Sequence, residues 1–245
     1  MSNKKEKLKI LLLQIRDNHS VREEELSSFA QFTGLEKSQF TILNVFDQPS
    51  FDINLDSYDS LFVGGASEAS VLEPDKYPFV LKSEELLLKA IDINKPVFAS
   101  CFGFQLAVTA LGGQIIRDQK DYEMGSIPIQ LTTKAKDDVL LKDTPNNFHA
   151  ISVHRERATK LPANCELLAY TDQCCHSFKL TNKPFWAFQF HPEVDKPILI
   201  QRLSVFRDKY TKSDEQLKQV FESVVETPES NLLLTKFVDR VLLTS

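Results

Sequence analysis

Glycine is scarce: seven glycines and eleven prolines in 245 residues leave no room for a long flexible or low-complexity tract. Cysteine is scarce too. The four cysteines at positions 101, 165, 174 and 175 form no C-x-x-C pair, and a chain of this size needs no covalent staples, so reduced thiols are expected. Cys174-Cys175-His176 has the composition of a metal cluster. Adjacent strand residues face opposite ways, however, and no second ligand pair has zinc spacing, so the expectation is a strand carrying small apolar residues and no metal. Basic residues are in deficit, with a formal charge of −5. Without a Lys/Arg stripe interleaved with aromatics, no nucleic-acid partner is expected. The run Lys4-Lys5-Glu6-Lys7 reads as a solvated leader. No apolar segment approaches the roughly 20 residues of a membrane helix, and the polar N-terminus has no signal-peptide core. No membrane partner is expected, and the expected compartment is the cytoplasm.

Hydrophobic residues at 42% and charged residues at 26% are ordinary globular values, and the length suits one α/β unit with a full core. Leu8 to Ile15 is a nearly continuous apolar run, the pattern of a parallel strand covered on both faces. Ser20 with Glu23 reads as a capping box that opens a helix over Val21 to Phe32, stopped by Gly34. Further strands are predicted at Phe40 to Phe46, Ser60 to Val63 and Pro96 to Ser100, with helices at Glu84 to Ile93 and Phe104 to Leu111. The alternation implies parallel strands with right-handed crossovers and a ligand site at their carboxyl ends. From Gln114 to Phe190 short strands take over (Ile127 to Thr132, Phe148 to Val153, Glu166 to Tyr170, Cys174 to Leu180), predicting an antiparallel extension. Lys196 to Leu243 reads as two or three amphipathic helices, with Thr227-Pro228-Glu229 as a helix start.

Two blocks carry chemistry. In P-V-F-A-S-C-F-G-F-Q, Pro96 to Gln105, a short strand stops at Cys101 and a helix follows, which suits a nucleophile on a sharp turn with a helix N-terminus to stabilise a thiolate. The Phe102 amide becomes available to an oxyanion, and Gly103 permits close approach of the helix to the preceding backbone. Ala99 stands where such elbows usually have glycine, so the turn must accommodate one extra methyl. In P-F-W-A-F-Q-F-H-P-E-V, Pro184 to Val194, an apolar run ends at His191, and Pro192 holds the backbone extended so that His191 and Glu193 project to one side. A thiol gains from a neighbouring imidazole that a carboxylate orients, so Cys, His and Glu form a coherent set. Gly64-Gly65, at a strand end, reads either as a tight turn or as a source of an unhindered N–H for an oxyanion.

Together these residues resemble the class I glutamine amidotransferases. Cys101-Phe102-Gly103-Phe104-Gln105 and Gln189-Phe190-His191-Pro192-Glu193 match the two motifs of that family in order and separation. The likeness covers about Leu8 to Leu203 and takes in Gly64-Gly65, Leu111-Gly112-Gly113, Glu123-Met124-Gly125, and His154 followed by Leu161-Pro162. It implies an α/β fold of three layers, a flavodoxin-like, mostly parallel sheet flanked by helices, with the antiparallel extension and C-terminal helices. Residues 1–245 are then one domain, with its core over about 8–203 and a helical extension over about 204–245. The resemblance also implies Cys101 as nucleophile, His191 as base and acid, Glu193 as orienter, and the Gly65 and Phe102 amides as oxyanion hole. Gln105 and the Arg155 and Glu156 backbone would hold glutamine. Ala66 replaces a frequent proline, and Ala187-Phe188 a frequent glycine, changes that bear on loop stiffness.

The activity so implied is hydrolysis of glutamine, or of another γ-glutamyl compound, through a Cys101 thioester, with no cofactor. No G-x-x-x-x-G-K-[ST] loop and no S-G-G-x-D-S-like run is present, so a synthetase that accepts the ammonia is expected to be a separate polypeptide. Two alternatives stay open: a γ-glutamyl hydrolase or peptidase acting without a partner, and an idle binding module that regulates one.

Overall fold

The apolar run near the N-terminus forms β1 (Ile10–Gln14), buried at every position. Its side chains alternate between two cores: Leu11 and Leu13 enter one, Ile10 and Leu12 the other. This period of two on a fully buried strand fixes the layering, because each face needs its own helices. In the computed structural model, residues 2–118, 122–206 and 214–244 are described. The strands after β1 are β2 (Phe40–Asn44), β3 (Ser60–Val63), β4 (Val97–Ser100), β5 (Ile116–Arg117), β6 (Glu123–Leu131), β7 (Phe148–His154), β8 (Glu156–Arg157), β9 (Cys165–Tyr170), β10 (Cys175–Leu180) and β11 (Phe185–Phe188).

Nine of them form one sheet in the order β2-β1-β3-β4-β11-β10-β9-β6-β7, and β5 pairs with β8. The strands β2, β1, β3, β4 and β11 run parallel, and the remaining pairs of the large sheet are antiparallel. The expected three-layer, mostly parallel sheet with an antiparallel extension is therefore present, with one correction. The run at Phe185–Phe188 lies within the stretch expected to be antiparallel, yet it pairs in parallel with β4, Phe188 opposite Ser100. The hairpin from β10 turns the chain back along β4, whose free edge accepts these four buried residues.

Helix α1 (His19–Thr33) is capped by Asn18, whose side chain accepts from the amides of Ser20 and Val21. The cap is Asn18 rather than Ser20: the helix starts two residues earlier than expected, and Asn18 satisfies the orphan amides of that first turn. Gly34, at φ 64°, ends the helix as expected. Helix α2 (Phe79–Asp92) starts five residues before the expected Glu84, and α3 (Phe102–Ala110) starts immediately after Cys101. Both α2 and α3 pack on the Leu11/Leu13 face.

The C-terminal part forms α4 (Lys196–Val205), α5 (Asp214–Ser223) and α6 (Pro228–Phe237), with Pro228 in the first turn of α6. Residues 207–213 of that stretch lie outside the described residues. Helix α6 shares the Ile10/Leu12 face with α1, and its Phe237 ring meets those of Phe62, Phe98 and Trp186 at 5.3–5.9 Å. Such edge-to-face aromatic contacts add to the area buried. The segment beyond 204 thus supplies core residues to the sheet.

Candidate active site

β4 ends at Ser100 and α3 begins at Phe102, which leaves Cys101 to make the turn alone. It does so at φ 48° and ψ −97°, a conformation that a residue with a Cβ rarely adopts. The strain is held from both sides. The Cys101 amide donates to the Phe188 carbonyl of β11 at 2.7 Å, and its carbonyl accepts from the Gln105 amide at 3.1 Å. A Cβ on Gly103 would stand 2.9 Å from the Val63 side chain and from the Val63 carbonyl oxygen, so α3 sits directly on the end of β3. The additional methyl of Ala99 is accommodated in the buried sheet between Val63 and Ala187.

The parallel pairing of β11 with β4 brings the second block to the first. Immediately beyond β11, the Gln189 side chain stands 3.9 Å from Cys101 Sγ, and His191 follows two residues later. The His191 amide donates to the Ile151 carbonyl (2.8 Å), and its Nδ1 lies 2.7 Å from Glu193 Oε1. Both side chains are buried. Burial disfavours the charged imidazole, but the Cys101 thiolate and then Glu193 outweigh it, raising His191 to about 9. Burial likewise disfavours the Glu193 carboxylate, but the His191 charge and hydrogen bond, with help from Arg202, lower it to about 2.

Residues with no local signal in the sequence complete this region. Arg202 of α4 pairs with Glu24 of α1 and places Nη1 3.8 Å from Glu193 Oε1. Asn231 of α6 donates its amide hydrogens to the Pro192 and Val194 carbonyls at 2.8 and 3.0 Å. Arg16 and Glu25 form a buried pair at 2.8 Å under the Gly64-Gly65 turn. A Cβ on Gly65 would stand 2.8 Å from His191 Cε1, which places that turn against the imidazole.

Cys101 opens into a cleft of about 350 Å³ whose walls include Phe102, Gln105, His154, Arg155, Glu156 and Arg117. Of the expected substrate contacts, Gln105 is engaged within the protein: its Nε2 donates to the Glu156 carbonyl at 2.8 Å. The Glu156 carboxylate accepts from Ser70 Oγ (2.7 Å) and from Arg117, and Arg117 also bridges to Glu73. Arg155 lies over the Tyr122 ring, 5.2 Å from its centroid. Sequence pattern points to Gln105, Arg155 and Glu156 but not to Arg117, Ser70 or Glu73, which reach the cleft from separate segments.

The sequence profile described as Glutamine amidotransferase class-I matches residues 36–198. Gamma-glutamyl peptidase 4 of Arabidopsis thaliana is 29% identical over 174 residues, 70% of this chain and 68% of that protein. A glutamine-hydrolyzing GMP synthase subunit of Methanocaldococcus jannaschii is 30% identical over 119 residues, 48% of this chain and 61% of the relative. The match to the glutamine-hydrolyzing GMP synthase of Borrelia garinii spans only 27% of that protein, at 31% identity over 58% of this chain. A crystal structure of a glutamine amidotransferase from Thermotoga maritima superposes with a TM-score of 0.77, at 17% identity, covering 96% of this chain and 98% of the other. Among the described residues, no helix is long and apolar enough to cross a membrane. The chain belongs to the class I glutamine amidotransferase family, a family that hydrolyses glutamine.

Proposed function

We propose that this chain hydrolyses the side-chain amide of glutamine with Cys101 as nucleophile, His191 as general base and acid and Glu193 as its orienter, and supplies ammonia to an acceptor on a separate protein. The observation that carries this reading is Cys101 at φ 48° on the β4–α3 elbow, beside a His191 already bonded to Glu193. Sγ attacks the amide carbon, and the oxygen becomes an oxyanion in reach of the amides of Gly65 and Phe102. The Phe102 amide belongs to the first turn of a helix, where backbone donors have no intrahelical partner. His191 protonates the departing nitrogen, ammonia leaves, and a γ-glutamyl thioester remains. Water then gives its proton to His191 as it attacks the thioester, glutamate forms, and the thiol is restored. Gln105, Arg155 and Glu156 line the cleft where the amino acid's α-groups would be held. Residues 1–245 act as one domain, because α6 enters its core.

Cys101→Ala is expected to reduce glutamate release by at least about 10³-fold while the fold is retained, since the covalent route is deleted without a large cavity. Turnover within a few-fold of wild type would overturn the assignment. Iodoacetamide is expected to label Cys101 ahead of Cys165, Cys174 and Cys175, because burial pushes those three thiols up.

The resemblance to a gamma-glutamyl peptidase over 68% of its length supports a second reading, action on γ-glutamyl peptides without a partner. Glutamate release from free glutamine and from γ-glutamyl peptides, each with and without cell extract, separates the two. An amidotransferase is slow on free glutamine alone and stimulated by a fraction of extract. An independent peptidase is fast on peptides and indifferent to extract.

A further inference from the structure

We propose that Glu123, His154, Cys174 and His176 bind one divalent transition-metal ion of the zinc type, in a closed site behind the cleft. Each residue offers one ligand atom, and these atoms all lie within 4.8 Å of one another. All four side chains are buried, His176 completely. Glu123 comes from β6, His154 from the end of β7 opposite it in register, His176 from β10, and Cys174 from the residue immediately before β10. Cys174 and His176 are two apart, and a register irregularity between Cys175 and Ser177 accompanies their convergence on Glu123.

Hydrogen bonding alone does not account for the cluster. His154 Nε2 is bonded to Glu123 Oε2 at 3.0 Å. His176 Nε2 comes within 2.7 Å of the same oxygen but outside hydrogen-bond alignment, and both ring nitrogens of this fully buried histidine lack a hydrogen-bond partner. Leaving such a buried polar group unsatisfied is costly. Cys174 Sγ is 3.9 Å from the same carboxylate oxygen. An ion at the centre would use all four donors. In a tetrahedral arrangement, bonds of about 2.0–2.3 Å hold donors roughly 3.3–3.8 Å apart, so the widest separations close in while the contacts at 2.7 and 3.0 Å open.

The donor set also selects the ion. Two imidazoles, a thiolate and a carboxylate suit zinc-type ions, whereas magnesium and calcium take oxygen ligands. A thiolate and a carboxylate together cancel the two positive charges, which a buried site requires. Binding forms the sulfur–metal bond as the Cys174 Sγ–H proton passes to solvent, with no change of oxidation state. Thr171 Oγ1 donates to the other oxygen of Glu123 at 2.8 Å and orients the carboxylate. His154 runs directly into Arg155 and Glu156, and the His176 carbonyl accepts from the Gln189 amide at 2.8 Å. A bound ion would thus tie β6, β7 and β10 together next to residues that line the cleft.

The test uses the full chain, stripped with a chelator and titrated with Co²⁺ and Zn²⁺. One equivalent of Co²⁺ is expected to give the intense visible bands of a tetrahedral site and a sulfur-to-cobalt charge-transfer band. Cys174→Ser is expected to abolish that band and to weaken Zn²⁺ binding by more than the about 10–100-fold typical of an outer-shell partner. Cys175→Ser should retain both, because Cys175 belongs to the core on the opposite face. Should Cys174→Ser fail to fold, alkylation of Cys174 in the wild-type chain decides, with Zn²⁺ expected to slow it at least tenfold. No binding of either ion at micromolar concentration, a cobalt spectrum unchanged by Cys174→Ser, or alkylation unaffected by Zn²⁺ would each overturn the proposal.

Discussion

At Gly65 an added Cβ would stand 2.8 Å from His191 Cε1 and 2.9 Å from Arg16 Nη2, so no larger residue enters without displacing the imidazole or the loop. Misplacement by about 1 Å costs on the order of 10²-fold in rate. Gly65→Ala is therefore expected to lower kcat by about that factor with little change in melting temperature, and an unchanged kcat would place this turn outside the reacting geometry. The proposed division of labour between His191 and Glu193 is open to a similar comparison. His191→Ala removes the group that moves protons, whereas Glu193→Gln leaves an imidazole that can still take one, less well oriented and with less charge to sustain its proton. The expected order of kcat is wild type, then Glu193→Gln, then His191→Ala, with folding checked by circular dichroism. Equal damage from the two substitutions would mean that the acid does more than orient.

Elements hold these residues through contacts that neighbouring sequence does not announce. Asn231 on α6 satisfies the Pro192 and Val194 carbonyls on either side of Glu193. Asn231→Ala strands both buried acceptors, at a cost of about 1–3 kcal/mol, and loosens the turn that carries His191 and Glu193. A lower urea midpoint together with a lower kcat is expected. Loss of stability with kcat intact would make α6 a covering helix only. Gly103→Ala should destabilise by a comparable amount, about 1–3 kcal/mol, because its methyl would press α3 away from Val63 at the foot of the elbow. Local pattern made β1, β3, β4 and the Cys101 turn legible, since burial on both faces and a strand-to-helix switch are written in consecutive residues. It missed Asn18 as a cap and the first turn of α2, where the N-cap Pro78 makes no side-chain capping bond and no acid occupies the first turn. It also missed that β11 runs parallel to β4, because pairing direction depends on where the hairpin before it returns. The cluster of Glu123, His154, Cys174 and His176 escaped for the same reason: its donors come from three separate segments, and spacing along the chain is blind to register.

Across the whole molecule, the buried charges beside Cys101 tie the stability of the fold to pH. The Glu193 carboxyl, ordinarily near 4.5, is lowered to about 2 in the folded chain, so the unfolded chain binds the proton more readily. Its contribution to stability is complete above about 4.5 and is lost as pH falls through about 2. His191 has the opposite sign. Its value rises from 6.5 to about 9 on folding, so the folded chain holds the proton more tightly, and this contribution is complete below 6.5 and lost as pH rises through about 9. Each group sustains part of the other's charge, alongside Cys101 at His191 and Arg202 at Glu193. The unfolding free energy from urea titrations should therefore show an acid limb that Glu193→Gln removes and an alkaline limb that His191→Gln removes, while each substitution also shrinks the limb of its partner. Subtracting each variant's profile from that of the wild type cancels the titration of groups not coupled to the pair. Difference profiles that stay flat from pH 2 to 9 would show that neither group titrates differently in the folded and unfolded chain, and profiles of the opposite sign would show that the pair is buried neutral; the second result would remove the imidazolium from the proposed mechanism.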